Sequence, residues 1–318
     1  MESARCRLGV TLGDPRGIGP EVAAAAARSI HGDDRPELVF FGPPGSPAAP
    51  AADTFVEAGE WAPGPEPGPA GAAAAAAIEE AVRLVTTGRI DALVTAPIDK
   101  SALAAAGYSF PGHTEMLAGL TDTETVGMLM AAEHTSAGGP LRVLLATTHI
   151  ALAAVPAALT ACVLVEQASL CARSFRERWG ITSPRLALCA LNPHASDGGL
   201  FGDEEARVYE PALAELRARG EDVAGPIPAD TVFVRALRGE FDAVVAPYHD
   251  VGMAAFKTAS FGRGVNVTLG LPFVRTSPDH GTALDIAGRG LARPDSMIEA
   301  IRLAQRLVRS GAASRHSA

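Results

Sequence analysis

Three histidines stand just past short aliphatic runs: His149 after Leu141–Thr147, His194 after Leu186–Leu191 and His249 after Ala243–Ala246. A single histidine after a strand is ordinarily structural. Three at the same topological place suit a divalent transition metal, because neutral imidazoles bind such an ion and leave positions for water or substrate. Their spacing matches no HExxH or CxxC motif, so the reading depends on strand ends converging and not on a short signature. A metallohydrolase would use the same donors, which leaves the reaction open at this point.

Two glycine-bearing segments suggest a second kind of chemistry. TLGDPRGIGPE (11–21) joins a strand to a helix, with Gly13, Asp14, Gly17 and Gly19 in the turn and Pro20 in the first helical turn. It is not GxGxxG, and it reads either as a tight turn or as a backbone approach to a ligand. DHGTALDIAGRG (279–290) collects His280, Gly281, Asp285, Gly288 and Gly290 in one loop. That much glycine around a histidine and an aspartate favours a flat or phosphorylated ligand lying close to the backbone. Lys257, Asn266 and Arg275 stand in a sparse polar background and form a candidate phosphate clamp. His113 and Thr114 precede a helix, where free N–H groups favour anions. Asp230 follows a proline-bounded turn, as a helix N-cap or as a polar contact to substrate.

The elements that must hold these residues are short aliphatic strands alternating with helices. Strands are expected at Arg7–Leu12, Glu37–Phe41, Ala92–Thr95, Leu141–Thr147, Leu186–Leu191, Ala243–Ala246 and Val265–Leu269. Helices are expected at Glu21–Ile30, Gly71–Thr87, Pro156–Trp179, Asp203–Arg219 and Ser296–Arg309. Residues 42–70 carry many prolines and glycines and read as an exposed irregular connection. Continuous rather than alternating apolar strands indicate a parallel sheet covered on both faces, the α/β class, with ligands at the carboxyl ends of the strands.

At 318 residues the chain suits two domains or one large one, and 47% hydrophobic against 20% charged residues excludes a disordered chain. Lys and Arg total 27 against 36 Asp and Glu, and the net charge of -9 argues against nucleic-acid binding. No apolar run approaches the roughly 18 residues of a membrane span. The N-terminus has no signal-like pattern, and four scattered cysteines form no CxxC pair. A soluble cytoplasmic protein with no membrane partner is expected.

Seven segments in chain order carry a resemblance: TLGDPRGIGPE (11–21), PGHTE (111–115), TTHIAL (147–152), LNPHASDGGLFGDEE (191–205), GPIPADTVF (225–233), PYHDVGMAAFK (247–257) and VNVTLGLPFVRTSPDHGTALDIAGRG (265–290). Together they resemble the 4-hydroxythreonine-4-phosphate dehydrogenase family of pyridoxal phosphate biosynthesis. HGTALDIAGRG also resembles the nucleotide loop of the isopropylmalate and isocitrate dehydrogenases. The resemblance implies two α/β/α domains with a cleft between them, residues 1–113 plus 288–318 forming one and 114–287 the other. It implies His149, His194 and His249 as ligands of one divalent ion (Zn, Mg, Mn or Co), drawn from both subunits of a homodimer. His113, Thr114, Lys257, Asn266 and Arg275 match substrate or phosphate contacts, with Asp230 nearby. Gly13, Asp14, Gly17, Gly19, His280, Gly281 and Asp285 would lie near NAD or NADP.

The implied reaction is oxidation of a phosphorylated hydroxy acid followed by decarboxylation, with Lys257 and Asp230 as the candidate catalytic residues. Related activities on D-threonate or D-erythronate phosphates, or on cis-dihydrodiol carboxylates, are alternatives within the family. A metallohydrolase or an inactive small-molecule binding protein are alternatives of another class. The chain departs from the family pattern at Ser196-Asp197, where Gly-Glu is usual, and at Val251, where Gln is usual. Residues 42–70 also look shortened.

Overall fold

The computed structural model describes residues 5–64 and 66–316. The strands are β1 (Arg7–Thr11), β2 (Glu37–Gly42), β3 (Thr54–Glu57), β4 (Ala92–Thr95), β5 (Gly127–Ala132), β6 (Leu141–Leu145), β7 (Arg185–Cys189), β8 (Asp222–Ile227), β9 (Ala243–Ala246), β10 (Val265–Leu269) and β11 (Val274–Pro278). The helices are α1 (Gly19–Ser29), α2 (Pro67–Thr86), α3 (Lys100–Ala105), α4 (His113–Leu120), α5 (Val155–Ala158), α6 (Ala161–Ser174), α7 (Glu210–Ala218), α8 (Ala229–Leu237), α9 (His249–Ser260) and α10 (Asp295–His316). The fold is mixed α/β, in the class that the apolar pattern implies.

The chain divides into two compact units. The first combines Met1–Val126 with Leu271–Ala312, and the second is built on Gly127–Gly270. In the first, the strand order is β3-β2-β1-β4-β11 and every pairing is parallel. Its core joins Phe41, Ile78, Leu93, Leu103, Met116 and Phe273, with alanines of α2 packed close against the strands. In the second, the order is β10-β5-β6-β9-β7-β8. Here β6, β9, β7 and β8 run parallel, and β5 lies antiparallel to both β10 and β6. Val143, Val244, Phe233 and Phe256 lie in its core.

Three expectations change. The sheet is not wholly parallel, because β5 is a buried antiparallel strand absent from the sequence reading. Residues 42–70 are not all irregular, because Thr54–Glu57 pairs with β2. The helix expected over 156–179 is broken, since Leu159 and Thr160 are extended and the segments on either side meet at 88°. Thr160 starts the second segment by accepting a hydrogen bond from Val163 N at 3.2 Å. Among the described residues no single helix is long and apolar enough to cross a membrane.

Candidate functional site

In the second unit β6, β9 and β7 lie side by side and parallel, so their carboxyl ends share one edge. His149, His249 and His194 follow those three ends in that spatial order. The carboxyl ends of β6 and β9 are tied by Thr147 Oγ1, which donates to Pro247 O at 2.7 Å. The rings of His149 and His249 then lie 5.6 Å apart between centroids. His249 Nδ1 donates to Asp250 Oδ1 at 2.7 Å, which fixes the tautomer and leaves Nε2 as a donor to an ion. A cavity of about 40 Å³ borders both histidines, Thr147 and Tyr248. Two adjacent imidazoles, one hydrogen-bonded to a carboxylate, fit a divalent transition metal. Among the described residues, however, no three of His, Cys, Asp or Glu gather closely enough to hold an ion within one chain.

His194 borders a neighbouring cavity of about 350 Å³ with Asn192, Asp230, Tyr248 and Val251. Its backbone is left-handed at φ 53°, as is that of Ala195, Ser196 and Asp197, at 55°, 68° and 45°. His149 is also left-handed, at φ 50°. Residues with a Cβ adopt this region at a cost, and such strain persists where surrounding contacts enforce it. At the turn that carries His194, the contacting group is Glu205. It accepts hydrogen bonds from Leu191 N (3.0 Å), Asn192 N (2.8 Å), Asn192 Nδ2 (2.9 Å) and Ser196 Oγ. Burial pushes the Glu205 carboxyl up, but the hydrogen bonds from Asn192 and Ser196 outweigh it and hold the group below the ordinary carboxylate value. Asp230 is not an N-cap: Pro228 holds that position, and Asp230 lies one residue inside the helix, exposed beside the cavity. Lys257 is exposed in the last turn of α9, and Asn266 lies on β10 with Oδ1 buried and without a hydrogen-bond partner.

In the first unit the substrate candidates form a separate group. Arg275 on β11 is buried, and its Nη2 donates to Thr95 Oγ1 on β4 at 2.6 Å. Burial lowers its pKa to about 10, partly offset by Glu115, so it stays charged at neutral pH. His113 opens α4, followed by Thr114, and its Nε2 is buried with no hydrogen-bond partner. Burial first, and then the charge of Arg275, push this imidazole well below its ordinary pKa. A neutral histidine beside a buried guanidinium is a polar pair able to receive an anionic group.

The turn after β1 and the loop 279–290 also meet in this unit, where Ile18 N donates to Thr282 O at 2.9 Å. The turn's glycines have an intramolecular reason to be glycine. A Cβ at Gly13 would lie 2.1 Å from Pro97 O, and one at Gly19 would lie 2.2 Å from Leu12 O. The buried Asp14 carboxylate is taken by Arg16, through Nε at 3.1 Å and Nη2 at 2.7 Å. His280 Nδ1 donates to Gly281 O at 3.1 Å, and Asp285 is exposed. Beside these segments lies a cavity of about 520 Å³, bordered by Arg16, Gly17, Glu21, Arg28, Trp61 and Gly288. Glu21 Oε1 is buried there without a hydrogen-bond partner, which suits a ligand hydroxyl.

Glu21, Trp61 and Glu205 were not singled out by sequence reasoning. Trp61 lies in the irregular stretch, where no periodicity marks it. Glu205 ends the segment LNPHASDGGLFGDEE, but its task depends on a turn nine residues earlier.

The profile of the family described as Pyridoxal phosphate biosynthetic protein PdxA matches residues 32–304. A 4-hydroxythreonine-4-phosphate dehydrogenase of Ruegeria sp. (strain TM1040) is 44% identical over 98% of this chain and 99% of its own. A protein of Bradyrhizobium diazoefficiens, provisionally named D-threonate 4-phosphate dehydrogenase, is 43% identical over 97% of this chain and 98% of its own. The crystal structure of 4-hydroxythreonine-4-phosphate dehydrogenase from Klebsiella pneumoniae superposes with a TM-score of 0.85 at 36% identity, covering 97% of this chain and 99% of that one.

Proposed function

Because this chain belongs to the family described as Pyridoxal phosphate biosynthetic protein PdxA, we propose that it is a nicotinamide- and divalent-metal-dependent dehydrogenase that oxidises and decarboxylates a phosphorylated hydroxy acid such as 4-hydroxythreonine 4-phosphate. The observation that carries this reading is the common edge of β6, β9 and β7, where three histidines follow three adjacent parallel strands and two of their rings lie 5.6 Å apart. When bound, nicotinamide accepts a hydride and a divalent ion polarises the oxygen on the oxidised carbon, which lets a β-keto acid lose CO2.

The chain's own residues supply binding and proton handling. His149, His249 and His194 hold the ion, with a second copy of the chain completing the set. Arg275 supplies fixed positive charge for the phosphate, and the neutral His113 offers Nε2 to a substrate hydroxyl. Lys257 and Asn266 are further substrate contacts, and Lys257 Nζ and the Asp230 carboxylate are the candidates for moving the proton. The 520 Å³ cavity suits part of a dinucleotide, since Trp61 gives an apolar plane and Glu21 an acceptor for a ribose hydroxyl. A second reading, oxidation of D-threonate 4-phosphate, is supported by the 43% identity to the Bradyrhizobium diazoefficiens protein provisionally named for that activity.

NADH formation from 4-hydroxythreonine 4-phosphate and from D-threonate 4-phosphate, with and without chelator, tests the reading. Turnover of one substrate that chelator abolishes is expected. No NADH from either substrate with metal supplied overturns the proposal, and turnover indifferent to chelator removes the ion from it.

A further inference from the structure

The turn that carries His194 is held by a group that touches no part of the proposed reaction. Four consecutive residues with side chains, from His194 to Asp197, have positive φ, and Gly198 continues the turn at 70°. A left-handed stretch of this kind does not hold itself, because each Cβ opposes it. Ser196 and Glu205 are both buried, at 3% and 5% exposure. Glu205 opens a π-helical turn, Glu205–Tyr209, and its carboxylate faces back into the loop. One oxygen accepts from the backbone N–H groups of Leu191 and Asn192, and the other from Asn192 Nδ2 and Ser196 Oγ. Asn192 Nδ2 also donates to Glu204 Oε2 at 2.7 Å, so the loop is held on both sides of His194.

We propose that Glu205 is a positioning residue for His194, acting through the Ser196 hydroxyl: the carboxylate closes a ring around residues 191–196 and so fixes the direction in which the imidazole leaves the backbone. The Ser196 hydroxyl offsets the strain that its own Cβ creates at φ 68°. A glycine would relieve that strain outright, and an alanine would keep it with nothing to offset it. This separates positioning from simple packing, because removing more of the side chain is expected to do less harm. The proposal rests on the reading of His194 as an ion ligand.

The test is Co(II) affinity by titration calorimetry on the full chain, with thermal melting as a check of folding. Ser196→Ala is expected to weaken Co(II) binding by about 10- to 100-fold, the usual range for groups that orient metal ligands, and Ser196→Gly to restore it to within about threefold of wild type. Glu205→Gln exchanges one accepting oxygen for an amide and is expected to weaken binding like Ser196→Ala. Equal affinities for wild type, Ser196→Ala and Glu205→Gln overturn the proposal. So does Ser196→Gly binding as weakly as Ser196→Ala, and if Glu205→Gln does not fold, the two Ser196 variants decide alone. His194→Ala keeps the two readings apart. If it binds Co(II) as tightly as wild type, the ion-ligand reading itself has failed; if it loses binding while Ser196→Ala does not, only the positioning role has failed.

Discussion

His113 combines a buried ring nitrogen with a neighbouring guanidinium, and both conditions oppose its protonation. The unfolded chain takes up a proton on this ring below about pH 6.5, whereas the folded chain does not until the pH is far lower. The unfolded state therefore binds more protons in that window, and stability falls as the pH drops through it. The melting temperature of wild type is expected to fall between about pH 7 and pH 5 more steeply than that of His113→Gln; parallel profiles would show that the ring titrates freely in the folded chain. At this scale the three histidines are legible because a polar residue directly after a buried aliphatic run stands out. Glu205 and Glu21 are not. Each is one acid among the 36 acidic residues, and only a hydrogen-bond ring or a cavity wall formed by distant segments distinguishes it.

Helices and strands are legible where one residue pattern dominates. Ala92–Thr95, Ala243–Ala246 and Val265–Leu269 have the expected bounds because each is a short apolar run ending at a polar or turn residue. Two of the strands that sequence reading missed break that pattern: β11 reads Val-Arg-Thr-Ser-Pro, yet every one of its residues is buried, and β8 contains Gly225-Pro226. The expected helix over 156–179 errs in the opposite sense, since the apolar spacing runs on through a break that hydropathy does not register. Thr160 marks that break by capping α6 through Val163 N. Thr160→Ala is expected to cost about 1 kcal/mol of stability, measured by chemical denaturation. A value near zero would mean that packing, and not the cap, starts this helix.

At the level of the whole chain, the sequence motifs are grouped by the units that hold them. His113, Arg275 and the two glycine-bearing segments belong to the first unit, and the three metal candidates to the second. If the 520 Å³ cavity takes part of a dinucleotide, NAD stabilises the folded chain by mass action. At about a hundred times its dissociation constant the gain is roughly 2.7 kcal/mol, visible as a higher melting midpoint. Absence of any shift at saturating NAD would remove the cofactor from the proposal. The first unit takes strand β11 and most of helix α10 from beyond residue 270, whereas every strand of the second lies within Gly127–Gly270. On the ribosome, the strands of the second unit emerge together with their partners, while β4 of the first unit keeps one edge unpaired until β11, about 180 residues later, has been made.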